Sequence, residues 1–123
     1  MTDNLLLLKV EQWLEDDQFQ KVIDTLHELS EKDLNYALKS YLACALNGNT
    51  QMEDAIRVLL TIEKEGENDP LWFFRMGYAY YYLHQREKAL PYFQKTLQLN
   101  PRETSVQMFI EWCTEDSPIV IPA

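Results

Sequence analysis

The segment that decides the fold is FFRMGYAYYYLHQREKALPYFQKTLQLNP, residues 73–101. It repeats, at one constant offset, the pattern of residues 39–67. The paired positions share size or apolar character: Leu42 with Met76, Ala43 with Gly77, Leu46 with Tyr80, Ala55 with Ala89, and Leu59 with Phe93. A fixed period of this length is typical of stacked helical hairpins, each of which buries its apolar face against the next.

The composition favours one domain and excludes several classes of partner. A chain of 123 residues with 46% apolar side chains is long enough for a single continuous core. Its 20 acidic and 11 basic side chains give a net charge of −9. Binding of nucleic acid needs a basic stripe, and the sequence has none, so we expect neither nucleic acid nor an anionic membrane surface as partner. A basic protein or peptide remains compatible with this charge.

The sequence predicts a cytoplasmic location. No stretch approaches the roughly 20 consecutive apolar residues that cross a bilayer. The run Leu5 to Leu8 follows Thr2-Asp3-Asn4 rather than lysines or arginines, which is unlike a secretory signal. The two cysteines, Cys44 and Cys113, lie in apolar helical patterns without metal-ligand spacing, which favours free thiols in a reducing compartment.

Apolar periodicity and turn residues predict seven helices, at about 3–16, 19–29, 33–46, 50–65, 69–83, 86–99 and 102–115. Asp33 is the predicted N-cap of the third helix, and Asp69 followed by a proline that of the fifth. Thr50 to Glu53 fits a capping box, and Gly66 suits the C-cap of the fourth helix. We expect one domain over residues 1–116 and an extended tail over 117–123.

The stretch from Pro70 to Pro101 resembles a tetratricopeptide repeat. The residues that carry the resemblance are Phe73 at repeat position 4, Met76-Gly77 at positions 7 and 8, Tyr80 at 11, Ala89 at 20, Phe93 at 24 and Pro101 at 32. A middle repeat departs from the family pattern at Lys39 and Glu67. A first repeat fits with a spacing one residue shorter. The repeats would occupy about 3–35, 36–69 and 70–103, followed by a capping helix at about 102–115.

The resemblance implies an all-α fold: a right-handed superhelix of three tetratricopeptide-like helical hairpins with a C-terminal capping helix. In that family the first helices of the hairpins line a concave groove that receives an extended peptide or a helix of a partner. The positions of this chain that the resemblance assigns to the groove are Ser40, Tyr41, Cys44, Asn47, Leu71, Phe74, Arg75, Tyr78, Tyr81 and Tyr82. Trp112 of the last helix would extend the same surface.

No sequence feature points to chemistry. His27 and His84 lie far apart in the sequence, and neither has a second histidine at zinc-ligand spacing. The sequence has no glycine-rich phosphate loop and no signature of a serine or cysteine nucleophile. We therefore predict no catalytic residue, no metal site and no cofactor, and a protein that is not an enzyme.

These observations favour a protein–protein interaction module or adaptor that binds a partner segment in its concave groove. Two alternatives remain open: a dedicated chaperone for a secreted or unstable client, and a homo-oligomeric scaffold or regulatory module of an enzyme partner. The apolar tail Ile119-Val120-Ile121 either packs back on the last helix or is disordered. Alternatively, it docks as an extended strand in a groove of its own chain or of a neighbour, which would give autoinhibition or self-association.

Overall fold

A computed structural model of the chain describes residues 4–115. Within that range the chain forms seven α-helices, one 3-10 turn at Glu31–Asp33, and no β-strand. The helices are α1 (Asn4–Glu15), α2 (Phe19–His27), α3 (Tyr36–Gly48), α4 (Met52–Leu60), α5 (Pro70–Tyr82), α6 (Arg86–Leu99) and α7 (Thr104–Thr114). The all-α prediction is confirmed. The tail prediction at Ile119-Val120-Ile121 lies outside the described residues.

The described residues fall into two compact units that divide after Ile62. The first unit holds α1 to α4, and the second holds α5 to α7. The predicted superhelix and the prediction of a single domain stay predictions.

The three predicted hairpins, α1–α2, α3–α4 and α5–α6, turn in the same way. Each turn contains one residue with positive φ, at Asp17 (57°), Thr50 (61°) and His84 (62°). The glutamine that follows is the N-cap residue of the second helix, and its amide donates to the carbonyl five residues earlier, at distances of 2.7 Å for Gln18, 2.8 Å for Gln51 and 2.9 Å for Gln85. The interval between the first two turns is one residue shorter than that between the last two, as the sequence indicates.

The start of α3 differs from the prediction. Asn35, not Asp33, is the N-cap residue, because its Oδ1 accepts a hydrogen bond from the amide of Leu38 at 2.9 Å. Asp33 belongs to the preceding 3-10 turn, where its carboxylate accepts a hydrogen bond from the Ser30 hydroxyl at 2.8 Å. Both residue types are good N-caps, and the intervening turn decides between them.

Both predicted ends of α4 are wrong as well. Thr50 is in the left-handed region, and the N-cap residue Gln51 makes no side-chain cap, so the capping box is absent. The helix ends at Leu60, five residues before the predicted end, and residues 61–68 continue as turns. Gly66 has no positive φ and is buried; a Cβ there would lie 2.5 Å from the ring of Trp72. Close approach, rather than a left-handed cap, explains this glycine.

The last hairpin, α5–α6, follows its prediction closely. Asp69 caps α5 by accepting a hydrogen bond from the amide of Leu71 at 3.0 Å, and Pro70 occupies the first turn, where no amide partner is needed. Gly77 allows the two helices to approach, since a Cβ there would lie 2.7 Å from the Phe93 ring. This contact places α5 against α6 and fixes which side of α5 remains outside.

Candidate binding surface

Four apolar side chains lie along one side of α5. Leu71, Phe74, Tyr78 and Tyr82 are spaced by three, four and four residues, which places them in one row on a helix. Leu71 is 49% exposed and the three rings are partly exposed. We call this row the α5 stripe. It is a continuous apolar surface of the kind that folded proteins usually cover or use.

The ring of Phe109, on α7, packs against the three rings of the α5 stripe. Its centroid lies 5.7 Å from that of Phe74, 6.1 Å from that of Tyr78 and 6.3 Å from that of Tyr82. The rings of Tyr78 and Tyr82 also contact each other, at 4.7 Å. Contacts of this kind restrict ring rotation, so the outer faces of the stripe are largely fixed before any partner arrives.

The helix α7 adds a second edge to this surface. Met108 is exposed and Trp112, one turn further, is partly exposed. The Trp112 ring lies 5.2 Å from Phe109 and 6.1 Å from Tyr81. The structure therefore brings Trp112 to the same aromatic cluster as the stripe.

Three of the predicted groove residues are buried: Ser40, Asn47 and Tyr81. Tyr81 is only 3% exposed because α7 covers it, with Phe109 at 5.5 Å between centroids. Burial raises the pKa of the Tyr81 phenol, and it also raises that of the partly exposed Tyr82. A side chain enclosed in this way shapes the surface and does not contact a partner directly.

The other predicted residues are partly exposed and lie in two places. Tyr41 and Cys44 are on α3, in the first unit, three residues apart. Arg75 is on α5 beside Phe74, in the second unit. The structure thus brings Phe74, Tyr78, Tyr82 and Trp112 together around Phe109, whereas Tyr41 and Cys44 belong to the first unit.

A pocket of 370 Å³ opens where α5 begins. Its lining includes Asp69, Leu71 and Phe74 from α5 and its cap, Thr96 and Asn100 from the end of α6, and Glu103 before α7. Leu71 and Phe74 belong also to the α5 stripe, so the pocket and the stripe are continuous. The sequence predicts Asp69 only as a helix start. The signal that pairs it with Glu103 is the repeat offset, because both acids occupy the same place in successive periods.

The pocket is acidic at its rim. The Glu103 carboxylate accepts a hydrogen bond from the Ser105 hydroxyl at 2.7 Å, as Asp69 does from the Leu71 amide. The Thr96 hydroxyl donates to the carbonyl of Tyr92 at 3.0 Å, so its proton is already used in a hydrogen bond within α6. No lysine or arginine is among the described lining residues.

The described residues show no arrangement for metal chemistry. No group of three or more His, Cys, Asp or Glu side chains within residues 4–115 is placed to hold a metal ion. In the same range no helix is both long and apolar enough to span a bilayer. Cys44 and Cys113 are free cysteines, and burial raises the pKa of the Cys113 thiol.

Comparison with known protein families gives a match in the second unit. Residues 70–103 match the sequence model of the tetratricopeptide repeat, over the α5–α6 hairpin and the turn that follows it. No curated protein and no solved structure matched the chain. The matched repeat indicates a module for protein–protein interaction in the general sense. Residues 70–103 of the second unit are therefore a tetratricopeptide repeat.

Proposed function

We propose that this chain holds a segment of a partner protein against the α5 stripe. The observation that carries the proposal is the row of Phe74, Tyr78 and Tyr82, whose rings are partly exposed yet already held by Phe109. A preorganised surface loses little conformational entropy on binding, which leaves more of the contact energy for affinity.

The residue types suit a binding surface. Tyrosine and tryptophan combine a large apolar ring with a polar tip, and they are enriched among the residues that contribute most to protein interfaces. Leu71 at one end and Trp112 at the edge extend the row beyond the three rings. We therefore propose Leu71, Phe74, Arg75, Tyr78, Tyr82 and Trp112 as the contact set of the second unit.

The charge of the chain supports a basic partner. At a net charge of −9 the chain attracts positively charged segments at long range, which raises their rate of encounter. We propose an adaptor that acts in the cytoplasm, where Cys44 and Cys113 would stay reduced.

The experiment compares partner capture by matched leucine variants in lysate of the source cells. Leu71→Ser removes an apolar contact from the stripe, and Leu60→Ser removes a leucine of equal exposure (48% against 49%) from the first unit. Proteins captured by the parent chain and quantified by mass spectrometry should be retained by Leu60→Ser and depleted by Leu71→Ser. Equal capture by both variants would place the binding surface elsewhere.

The tyrosines need a second readout. Tyr78→Ser with Tyr82→Ser should abolish capture, but the two rings also pack on Phe109, so the change removes core contacts too. Circular dichroism and the unfolding midpoint of this variant show whether capture is lost in a folded chain. Conservative Tyr78→Phe with Tyr82→Phe keeps the rings and should keep capture, unless the hydroxyls carry the affinity.

A second candidate is a homo-oligomeric scaffold that assembles through α1. Leu5 and Leu8 are 56% and 63% exposed and are three residues apart on that helix. Two exposed leucines on one face favour contact with another apolar surface. Light scattering over a range of concentrations should then show a dimer that Leu5→Ser with Leu8→Ser converts to a monomer.

A dedicated chaperone would use the same α5 stripe and differs in its clientele. It would co-purify with one unstable client, whereas an adaptor would co-purify with folded partners. The capture experiment above separates these two cases when the captured proteins are identified and tested for stability in the absence of the chain.

A further inference from the structure

We infer that the pocket at the start of α5 receives a lysine or arginine side chain of the partner segment that lies on the α5 stripe. The inference rests on the proposed function, because it assigns a specificity pocket to the same surface. The net charge supports a basic partner in general, and the pocket gives the position at which a basic residue would bind.

The pocket has the shape for a long side chain. Its volume of 370 Å³ lies within the range of ligand pockets, and Leu71 and Phe74 form an apolar wall that leads in from the stripe. Lysine and arginine carry an aliphatic stem of three or four carbons that prefers such a wall, with a charged head that prefers polar surroundings. A purely apolar side chain would use the wall and leave the polar end of the pocket unused.

The charges at the rim of the pocket favour a cation. Asp69 and Glu103 come from different parts of the chain and meet at the same opening. The end of α6 at Asn100 lies there as well, and a helix C-terminus carries partial negative charge. The starts of α5 and α7 carry the opposite partial charge, but each is preceded by one of these two carboxylates, which offset it.

The pocket and the stripe together specify a spacing. From Leu71 to Tyr82 the helix advances about 17 Å, at about 1.5 Å per residue. An extended peptide covers that distance in about five residues, at about 3.3 Å each. We therefore expect recognised segments to carry a basic residue about five positions from an apolar or aromatic residue that contacts Tyr82.

The test uses a phage-displayed library of random peptides about ten residues long, which is enough to cover the stripe and the pocket. Panning on the parent chain should enrich peptides with a lysine or arginine at one fixed distance from an apolar residue. One enriched peptide is then synthesised together with an analogue in which norleucine replaces the basic residue. Fluorescence anisotropy gives the dissociation constant of each peptide.

Two charge-neutralising substitutions, combined in one pocket variant, replace the carboxylates by amides of the same shape and keep the local geometry. Asp69→Asn leaves a good N-cap for α5, and Glu103→Gln leaves an acceptor for Ser105. The control is Glu87→Gln with Glu115→Gln, which removes the same charge at the other end of the unit, where Arg86 donates to the carbonyl of Glu115. The pocket variant should bind the basic peptide about tenfold more weakly, and the control should stay within about twofold of the parent.

The outcomes separate this inference from the proposed function. The norleucine analogue should bind parent and pocket variant equally, because the interaction with the carboxylates is already lost. Enriched peptides without a basic residue, but lost in Leu71→Ser, would overturn the pocket assignment and leave the stripe as the binding surface. A library that yields no peptide above background would overturn the stripe and the pocket together.

Discussion

The hairpins α1–α2 and α5–α6 share one turn geometry and are filled by different side chains. Val10 and Leu26 in the first hairpin correspond to Gly77 and Phe93 in the last, and all four positions are buried. The smaller residue on one helix matches a larger residue on the other, since the Phe93 ring occupies the space that a Gly77 side chain would need. The same turn geometry thus accommodates different side-chain pairs at these two buried positions.

The difference reaches the surface. In the first unit the large fully buried side chains are aliphatic, whereas in the second Phe93 stacks on Phe109 at 4.9 Å, and Phe109 in turn contacts the rings of the α5 stripe. The buried aromatic residues of the second unit are therefore in contact with the partly exposed rings of the α5 stripe. This continuity explains why the proposed binding surface lies on the second unit.

The largest expected effect comes from removing the ring at the centre of that cluster. Phe109→Ala should lower the free energy of unfolding by about 3–5 kcal/mol, because a nearly buried ring leaves a cavity under the stripe. Urea unfolding followed by circular dichroism measures it, with the exposed-site change Leu60→Ala as control. A loss below about 1 kcal/mol would mean that the aromatic cluster does not hold the second unit together.

The next effect tests the filling of the hairpins. Gly77→Leu should overpack the contact with Phe93 and cost about 1–3 kcal/mol or more. The exposed helical change Gln94→Leu on α6 is the control. A parental melting temperature for Gly77→Leu would contradict the helix approach that the structure shows at this position.

A paired substitution sharpens the same comparison. Gly77→Ala with Phe93→Leu gives the last hairpin the residues that the middle one has at Ala43 and Leu59. Because the added methyl group and the smaller side chain compensate in volume, the double variant should lose less stability than the sum of the single variants. Strictly additive losses would show that the hairpins are not interchangeable at these positions.

A smaller effect tests the common turn. Thr50 is β-branched and has a φ of 61°, a combination that costs energy, so Thr50→Gly should stabilise the chain by about 0.5–1 kcal/mol. Asp17→Gly should change little, since aspartate tolerates the left-handed region. Thermal unfolding of the two variants gives the comparison, and a destabilised Thr50→Gly would argue against the shared turn.

The smallest effect is a pH dependence expected of the second unit. Burial raises the pKa of Tyr81, Tyr82 and Tyr92, so the folded chain keeps these protons after the unfolded chain has lost them. The stability that these three phenols contribute is therefore fully present below about pH 10, the ordinary tyrosine pKa. It is lost as the pH rises through their higher pKa values in the folded chain. Urea midpoints across this range should show the fall, and replacing the three tyrosines by phenylalanine should flatten it.

Much of the fold could be predicted from the sequence because several helices have strong start and stop signals. Asp69 followed by Pro70 predicts the start of α5, and the constant repeat offset predicts the hairpins. The prediction was wrong where two good caps compete, as at Asp33 and Asn35, and where a turn replaces the end of a helix, as after Leu60. Local propensity alone does not decide such boundaries.

Only part of the candidate site could be predicted from the sequence. Tyr78, Tyr81 and Tyr82 have the same side chain, and three aromatic residues within one turn of each other cannot be sorted by periodicity into inner and outer positions. The position of α7, which covers Tyr81 with Phe109, makes that choice. The pocket at Asp69 and Glu103 needed the structure too, because its lining comes from three helices.

The most direct test of the binding surface is an NMR titration of the isotope-labelled chain with a peptide selected from the library. Backbone amide shifts should change along α5, at Leu71, Phe74, Tyr78 and Tyr82, and at Trp112 of α7. The same titration of Leu71→Ser should give smaller changes at equal peptide concentration. Shift changes confined to residues 4–62 would contradict the account.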